Sequence, residues 1–215
     1  MRLISSWSGG KDSCFALMHI MKDNQHQLVA LLNMMNENGE ISRSHGLPHS
    51  ILNQQAEALG STILGIPSTW EAYETNYVQG LKELKEKYNS EAVVYGDIDL
   101  ESHKEWEEKV CNATNHLAML PLWLQDRKEL VYAMIESGIK AIIVSCNEEL
   151  GTSYLGREIT KGLVIELEEL GIDACGENGE YHTLVVDCPL FSKPIELPNY
   201  KKTTHQKYCF LTWNS

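Results

Sequence analysis

The sequence predicts an α/β fold, a doubly wound parallel sheet with a smaller C-terminal α/β domain, and three observations carry that reading. A glycine-rich run, Ser8-Gly9-Gly10-Lys11-Asp12-Ser13, joins an apolar segment containing Leu3, Ile4 and Trp7 to a segment of helical periodicity. Short, unbroken apolar runs at 28–32, 62–66 and 92–95 suit strands buried on both faces, as in a parallel sheet. Between them lie segments with apolar residues at helical spacing, and such alternation implies right-handed βαβ crossovers.

The elements follow in order. The first helix opens at Asp12 or Ser13 and carries Cys14, Phe15, Leu17, Met18 and Met21 on one face until the polar run 22–27 stops it. Pro48 fits the first turn of a second helix that holds Ile51, Leu52, Ala56 and Leu59 and ends at Gly60. A longer helix is expected over 71–88, with Tyr73, Tyr77, Leu81 and Leu84 inward and Lys82, Lys85 and Glu86 outward. A further helix includes Trp106 and Val110, ahead of an apolar run at 117–120 and Pro121. Next come a helix at 126–137 stopped by Gly138, a strand at 141–145, a helix at 159–170 stopped by Gly171, and an apolar run at 184–186. The tail after Pro189 ends in the alternating stretch 208–213, an edge or hairpin strand. The division expected is 1–122 for the first domain and 123–215 for the second.

Composition narrows the function. A formal charge of −12 argues against a broad nucleic-acid surface, because polyanion affinity rests on Lys and Arg. The six cysteines are scattered and form no C-x-x-C pair, so neither a zinc ribbon nor a dithiol redox site is indicated. No apolar run reaches the roughly 20 residues of a membrane span, and Met1-Arg2-Leu3 leads into a strand rather than a signal peptide. A cytoplasmic protein is expected, with no membrane partner.

Residues 8–13 are where a nucleotide phosphate is expected. Adjacent Gly9 and Gly10 let the chain bend through conformations closed to other residues and let anionic oxygens approach the backbone. The helix that follows has N–H groups without intrahelical partners and a partial positive charge at its start. Lys11 adds a full charge; Ser8 and Ser13 add hydroxyls. Read as a surface residue, Lys11 should be replaceable by Ala with loss of turnover and no loss of folding. The spacing excludes a P-loop, which needs Gly, four residues and Gly-Lys-Ser/Thr. It resembles instead the pyrophosphate-binding loop of the N-type ATP pyrophosphatases, which split ATP between the α- and β-phosphates.

A second constellation, Gly176-Glu177-Asn178-Gly179-Glu180-Tyr181-His182-Thr183, is too polar for core. Read as a turn, it would simply face water. Read as a substrate loop, its carboxylates can hold ammonium or Mg²⁺, Asn178 can orient a substrate, and His182 can move a proton near neutral pH. Among other histidines, His19 and His26 read as surface residues, whereas His45-Gly46 and His103 each follow a strand end closely.

Together these segments resemble the diphthine–ammonia ligase family of the pyrophosphate-loop ATPases, from Trp7 to about residue 195. The resemblance is carried by residues 7–13, Ser44-His45-Gly46, Gln55-Ala56-Glu57 with Leu59-Gly60, and Gly96-Asp97-Ile98 with His103 and Trp106. Pro121-Leu122-Trp123, Leu155-Gly156-Arg157, and residues 175–183 with Pro189-Leu190-Phe191 complete it. It implies an adenine nucleotide alpha hydrolase-like fold of the HUP type and an amide ligase using ATP and Mg²⁺. Such an enzyme adenylates a carboxylate and lets ammonia displace AMP; the acceptor is diphthine on elongation factor 2, or another carboxylate where diphthamide is not made.

By the same resemblance, Ser8, Gly9, Gly10, Lys11, Asp12 and Ser13 bind phosphate, Asn33 and Met34 lie near adenine, and Gly96 and Asp97 border the nucleotide. Lys11, Asp12, Glu177, Glu180 and His182 are the catalytic candidates, with Asp12 the Mg²⁺ ligand. His45, Gly46, Gly176, Asn178, Gly179, Tyr181 and Thr183 join Glu177, Glu180 and His182 around the acceptor or ammonium. On this reading the long C-terminal extension of some eukaryotic members is not expected, and a homodimer is compatible with the family. The alternatives are a pyrophosphate-loop RNA-modifying enzyme of the thiolation or lysidine type, for which Cys175 and Cys188 would have to meet, or a non-catalytic nucleotide-binding protein.

Overall fold

Five parallel strands in the order β3-β2-β1-β4-β5 form the first sheet of the computed structural model, which describes residues 1–213. The elements are β1 (Arg2–Ser6), α1 (Lys11–Ile20), β2 (Gln27–Met35), α2 (His49–Ala58), β3 (Ile63–Pro67), α3 (Tyr73–Tyr88), β4 (Ala92–Val94), α4 (Glu101–Asn112) and β5 (Leu117–Met119). Every pairing in this sheet is parallel, as the unbroken apolar runs require. Ile4, Leu31, Leu32 and Val93 are buried, because helices cover both faces. This is a doubly wound α/β sheet. β2 runs beyond the apolar stretch to Met35, taking the polar Asn33 into the buried sheet.

The chain then adds α5 (Arg127–Glu136), β6 (Lys140–Asn147), α6 (Lys161–Glu169), β7 (Tyr181–Asp187), β8 (Tyr200–His205) and β9 (Tyr208–Trp213). Asp126 and Thr160 cap α5 and α6 by accepting from Glu129 N and Leu163 N. These later strands make a second sheet, ordered β7-β6-β9-β8 and antiparallel throughout. The stretch 208–213 is a hairpin strand and not the edge; β8, exposed along its length and carrying Lys201 and Lys202, takes that place.

β7 starts at Tyr181 rather than at the apolar run. Buried Tyr181 and Thr183 alternate with half-buried His182, so the polar motif already has the strand period. One apolar cluster runs from Leu3, Trp7 and Leu17 to Ile143, Leu184 and Leu211, so the two sheets share a core. Among the described residues no helix is long and apolar enough to cross a membrane.

Candidate active site

The winding of the parallel sheet reverses between β1 and β4, and the loops leaving these two strands open a crevice at their carboxyl ends. A cleft of about 220 Å³ lies there, lined by residues from both loops, from β2 and from the far motif: Ser8, Asp12, Ser13, Asn33, Asp97 and Glu177 among them. Its closeness to the backbone depends on glycine. A Cβ on Gly96 would lie 2.7 Å from Asp12 C and Ser13 N, and one on Gly10 would lie 2.9 Å from His45 Nε2. Gly9 has φ +87°, in the region that side chains disfavour.

The loop after β1 is fixed from three sides. Gln55, fully buried on α2, accepts from Trp7 Nε1 at 2.8 Å and donates to Gly9 O at 3.0 Å and Val185 O at 2.8 Å. Val185 N returns a bond to Gly9 O at 2.9 Å. Gly10 N donates to Ser8 Oγ, and Ser13 Oγ donates to Gly10 O. Cys14 makes the first intrahelical bond, to Gly10 O, so the amides of Asp12 and Ser13 lie ahead of the helical ladder.

The amide of Lys11 does not face the cleft, since it donates to Thr183 Oγ1 at 3.0 Å. The Lys11 ammonium is buried too: it donates to both Asp12 oxygens at 2.9 Å and to Cys175 O at 2.5 Å, above the Tyr181 ring. Burial alone would lower its pKa, yet Asp12 and the other acidic groups around it hold it above the ordinary ammonium value. Lys11 therefore joins the two motifs; it is buried rather than a surface residue, and it lines the smaller pocket that adjoins the cleft.

In the second motif, Gly176 and Gly179 have φ +74° and +83°, and Gly179 N donates to Gly176 O in a tight turn. The turn sorts its side chains. Glu177 lines the cleft, and burial, then the neighbouring Asp12 carboxylate, raise its pKa to about 7. Asn178 and Glu180 point elsewhere: Asn178 N and Nδ2 donate to Glu180 at 3.0 and 3.1 Å, and Arg127 Nη1 donates to Asn178 Oδ1 at 3.3 Å. Arg127 also forks onto Asp99 at 2.6 and 2.7 Å and pairs with Asp173. The polar groups of Asn178 and Glu180 thus brace the turn, and neither side chain lines the cleft.

A smaller pocket adjoins the cleft, lined by Asp12, His45, Asp97, His103, Glu177 and His182. The His45 and His182 rings stand 4.7 Å apart. Burial and then the neighbouring His182 charge push His45 well below the usual imidazole pKa; burial and then Lys11 lower that of His182. Both shifts favour the neutral rings. His103 Nδ1 contacts Asp97 Oδ1 at 2.7 Å, which raises the imidazole pKa, while Glu107 beneath them is raised to about 11 by burial and Asp97. Tyr181 is structural here, its hydroxyl donating to Ala174 O, and Gly46, with φ +66°, turns the chain beside His45.

Residues 1–116 match the family model described as the diphthamide synthase N-terminal domain, and residues 126–214 match the C-terminal domain of the same synthase. The chain belongs to the diphthamide synthase family. It is 30% identical to the diphthine–ammonia ligase of Mus musculus and 31% identical to that of Homo sapiens, with 98% of this chain and 88% of each relative covered. The diphthine–ammonia ligase of Schizosaccharomyces pombe is 30% identical, but this chain spans only 39% of it. A solved structure described as a predicted subunit of a tRNA methyltransferase from Methanocaldococcus jannaschii superposes with a TM-score of 0.46 at 20% identity, covering 91% of this chain and all of the other. The diphthamide synthase family is one of enzymes, ligases by name.

Several cleft residues carry no sequence signal of their own. Arg43, Tyr73 and Tyr77 line the cleft, the tyrosines as the inner face of α3 and Arg43 from the loop after β2. Their spacing is that of core and turn residues. Gln55 stood out in sequence only as part of the family resemblance. Cys175 and Cys188 do not meet: Cys175 Sγ donates to Arg127 O at 2.8 Å, and Cys188 pairs with Cys14.

Proposed function

We propose that the chain is an ATP-dependent amide ligase that forms AMP and pyrophosphate, adenylating a carboxylate that ammonia then attacks. The observation that carries this reading is the cleft itself, in which the glycine loop and Glu177 share one space although 164 residues separate Lys11 from its partner Cys175. Polyphosphate fits beside the amides ahead of α1, and attack on the α-phosphorus then needs positioning and charge stabilisation more than covalent help. Asn33 Oδ1 is buried without a partner in the described structure, and Asn33 and Met34 line the cleft at the end of β2, where this reading puts the adenine.

Three carboxylates, Asp12, Asp97 and Glu177, line a cleft meant for an anion. That charge balance fits a divalent cation. Among the described residues no three His, Cys, Asp or Glu side chains form a metal cage; Mg²⁺ commonly takes one or two carboxylates together with substrate phosphates. Asp12 is the residue to hold it, and the ion supplies neutralisation of phosphate charge. Glu177, with a pKa near neutrality, is the group to take a proton from ammonium in the adjoining pocket, while neutral His45 and His182 accept its N–H bonds.

We assign residues 1–122 to the nucleotide and 123–215 to the acceptor; the last two residues of that span lie outside the described structure. The acceptor is a protein-borne carboxylate, diphthine on elongation factor 2 where diphthamide is made, and six buried free thiols suit a cytoplasmic enzyme. The decisive experiment incubates the protein with ATP labelled at the α-phosphate, Mg²⁺ and ammonium, with and without diphthine-bearing elongation factor. Factor-dependent AMP is the expected product. ADP and phosphate would overturn the mechanism.

A further inference from the structure

Trp70 is 71% exposed, far more than a large aromatic side chain on a folded surface needs to be. It does not stand alone. The Arg43 guanidinium lies over its ring at 4.6 Å, and the Tyr73 ring stacks beside it at 5.7 Å with 24° between the planes. Tyr73 in turn lies nearly parallel to Tyr77 at 6.4 Å, and Trp106 packs against both tyrosines. Arg43, Tyr73 and Tyr77 line the cleft whereas Trp70 does not, so the guanidinium is the inner member of the Arg43–Trp70 stack.

Two further contacts place Arg43 at one end of the cleft. Its backbone N–H donates to Met34 O at 3.0 Å, which puts it next to the end of β2 rather than beside the glycine loop. Its Nη2 donates to Ser68 O, which holds the guanidinium plane. Its Nε is buried and has no partner in the described structure. A guanidinium fixed by one nitrogen and backed on one face by an indole is arranged to stack its other face on a planar ligand.

We propose that Arg43, backed by Trp70, holds the base of the nucleotide. The guanidinium stacks on the purine ring at the Asn33 and Met34 end, and Trp70 keeps it there. The inference rests on the reading of the cleft as a nucleotide site and adds the residue pair that grips the base. It separates the cleft's labour: the glycine loop meets phosphate, and the loop after β2 meets the ring.

Calorimetric titration of AMP, ADP and ATP with Mg²⁺ tests this on the full chain, its Trp70→Ala variant and its Arg43→Ala and Arg43→Lys variants. Trp70→Ala, an exposed change, should leave the thermal midpoint in place and weaken all three ligands by the same factor, about fivefold. Arg43→Ala should weaken them by about tenfold, again irrespective of phosphate number, and Arg43→Lys should recover only part of the loss because an ammonium cannot stack as a plane. A loss that grows from AMP to ATP would make Arg43 a phosphate contact and overturn the proposal, as would unchanged affinity in Trp70→Ala and Arg43→Ala. Failure of the unaltered chain to bind any of the three would instead overturn the nucleotide reading on which the proposal rests.

Discussion

The loop at 8–13 and the turn at 175–183 are both dense in polar groups, yet they use them in opposite ways. In the first, the one cationic side chain turns inward, so that Lys11 bonds to Asp12 and Cys175 while the backbone is left to meet the ligand. In the second, the backbone turns on two glycines, and one side chain, Glu177, goes into the cleft while its neighbours Asn178 and Glu180 satisfy each other outside. Polar density marks where a site lies. The local turn decides which atoms serve it.

The sharpest way to break this contrast is Lys11→Met. A lysine exposed at a phosphate site would cost turnover alone, whereas an ammonium buried between a carboxylate and a carbonyl leaves Asp12 unpaired when removed. The expected loss is about 3–5 kcal/mol of folding stability, read from urea unfolding. A loss within 1 kcal/mol of zero, about the worth of an exposed pair, would return Lys11 to the surface role that its sequence position implies.

Lys11 also shows where the sequence stops being legible. The parallel sheet and most of its helices could be read because buried strands need unbroken apolar runs and helices need a repeating face; these are local properties. The phosphate loop is legible for the same reason, since its function is carried by consecutive backbone amides. The burial of Lys11, the bridging by Gln55 and the inner position of Arg43 each depend on partners 25 to 164 residues away. Tyr181 and Thr183 alternate like a strand, but in the sequence His182 and the charged residues before it mask the period. Asn178 and Glu180 could not be separated from Glu177 in one dimension.

Glu177→Gln sharpens the comparison from the other side. If its carboxylate handles the ammonium proton, turnover should fall by about 100-fold, with AMP formation as the measure and the nucleotide affinity little changed. In the unaltered enzyme, turnover at constant ammonium concentration should rise with pH through an apparent pKa of about 7, and that limb should vanish in the variant. A variant within threefold of normal turnover would remove Glu177 from the chemistry.

The same group gives a smaller effect on stability, with a definite sign. Its folded pKa, about 7, lies above the ordinary carboxyl value of 4.5, so between those values the folded state keeps a proton that the unfolded state loses. Its contribution is favourable below 4.5 and is lost as pH rises through about 7. Glu177→Gln should therefore be nearly neutral in stability at pH 4.5 and more stable than the parent by about 2 kcal/mol at pH 8. Equal unfolding midpoints at both pH values would show that the cleft does not oppose this charge.

The smallest effect comes one residue along, and it tests the sorting by the glycine turn most directly. Asn178 is exposed, and its bonds run to Glu180 and Arg127 rather than into either pocket. Asn178→Ala removes side-chain bonds at a surface where such pairs contribute about 0–1 kcal/mol. It leaves the backbone N–H of residue 178 free to keep its bond to Glu180. Turnover should stay within twofold and the urea midpoint should barely move. Loss of turnover comparable to that of Glu177→Gln would mean that both faces of the turn meet the substrate. Opposite outcomes at two adjacent polar residues would trace the difference to the geometry that Gly176 and Gly179 impose, since charge density along the sequence is nearly the same at both.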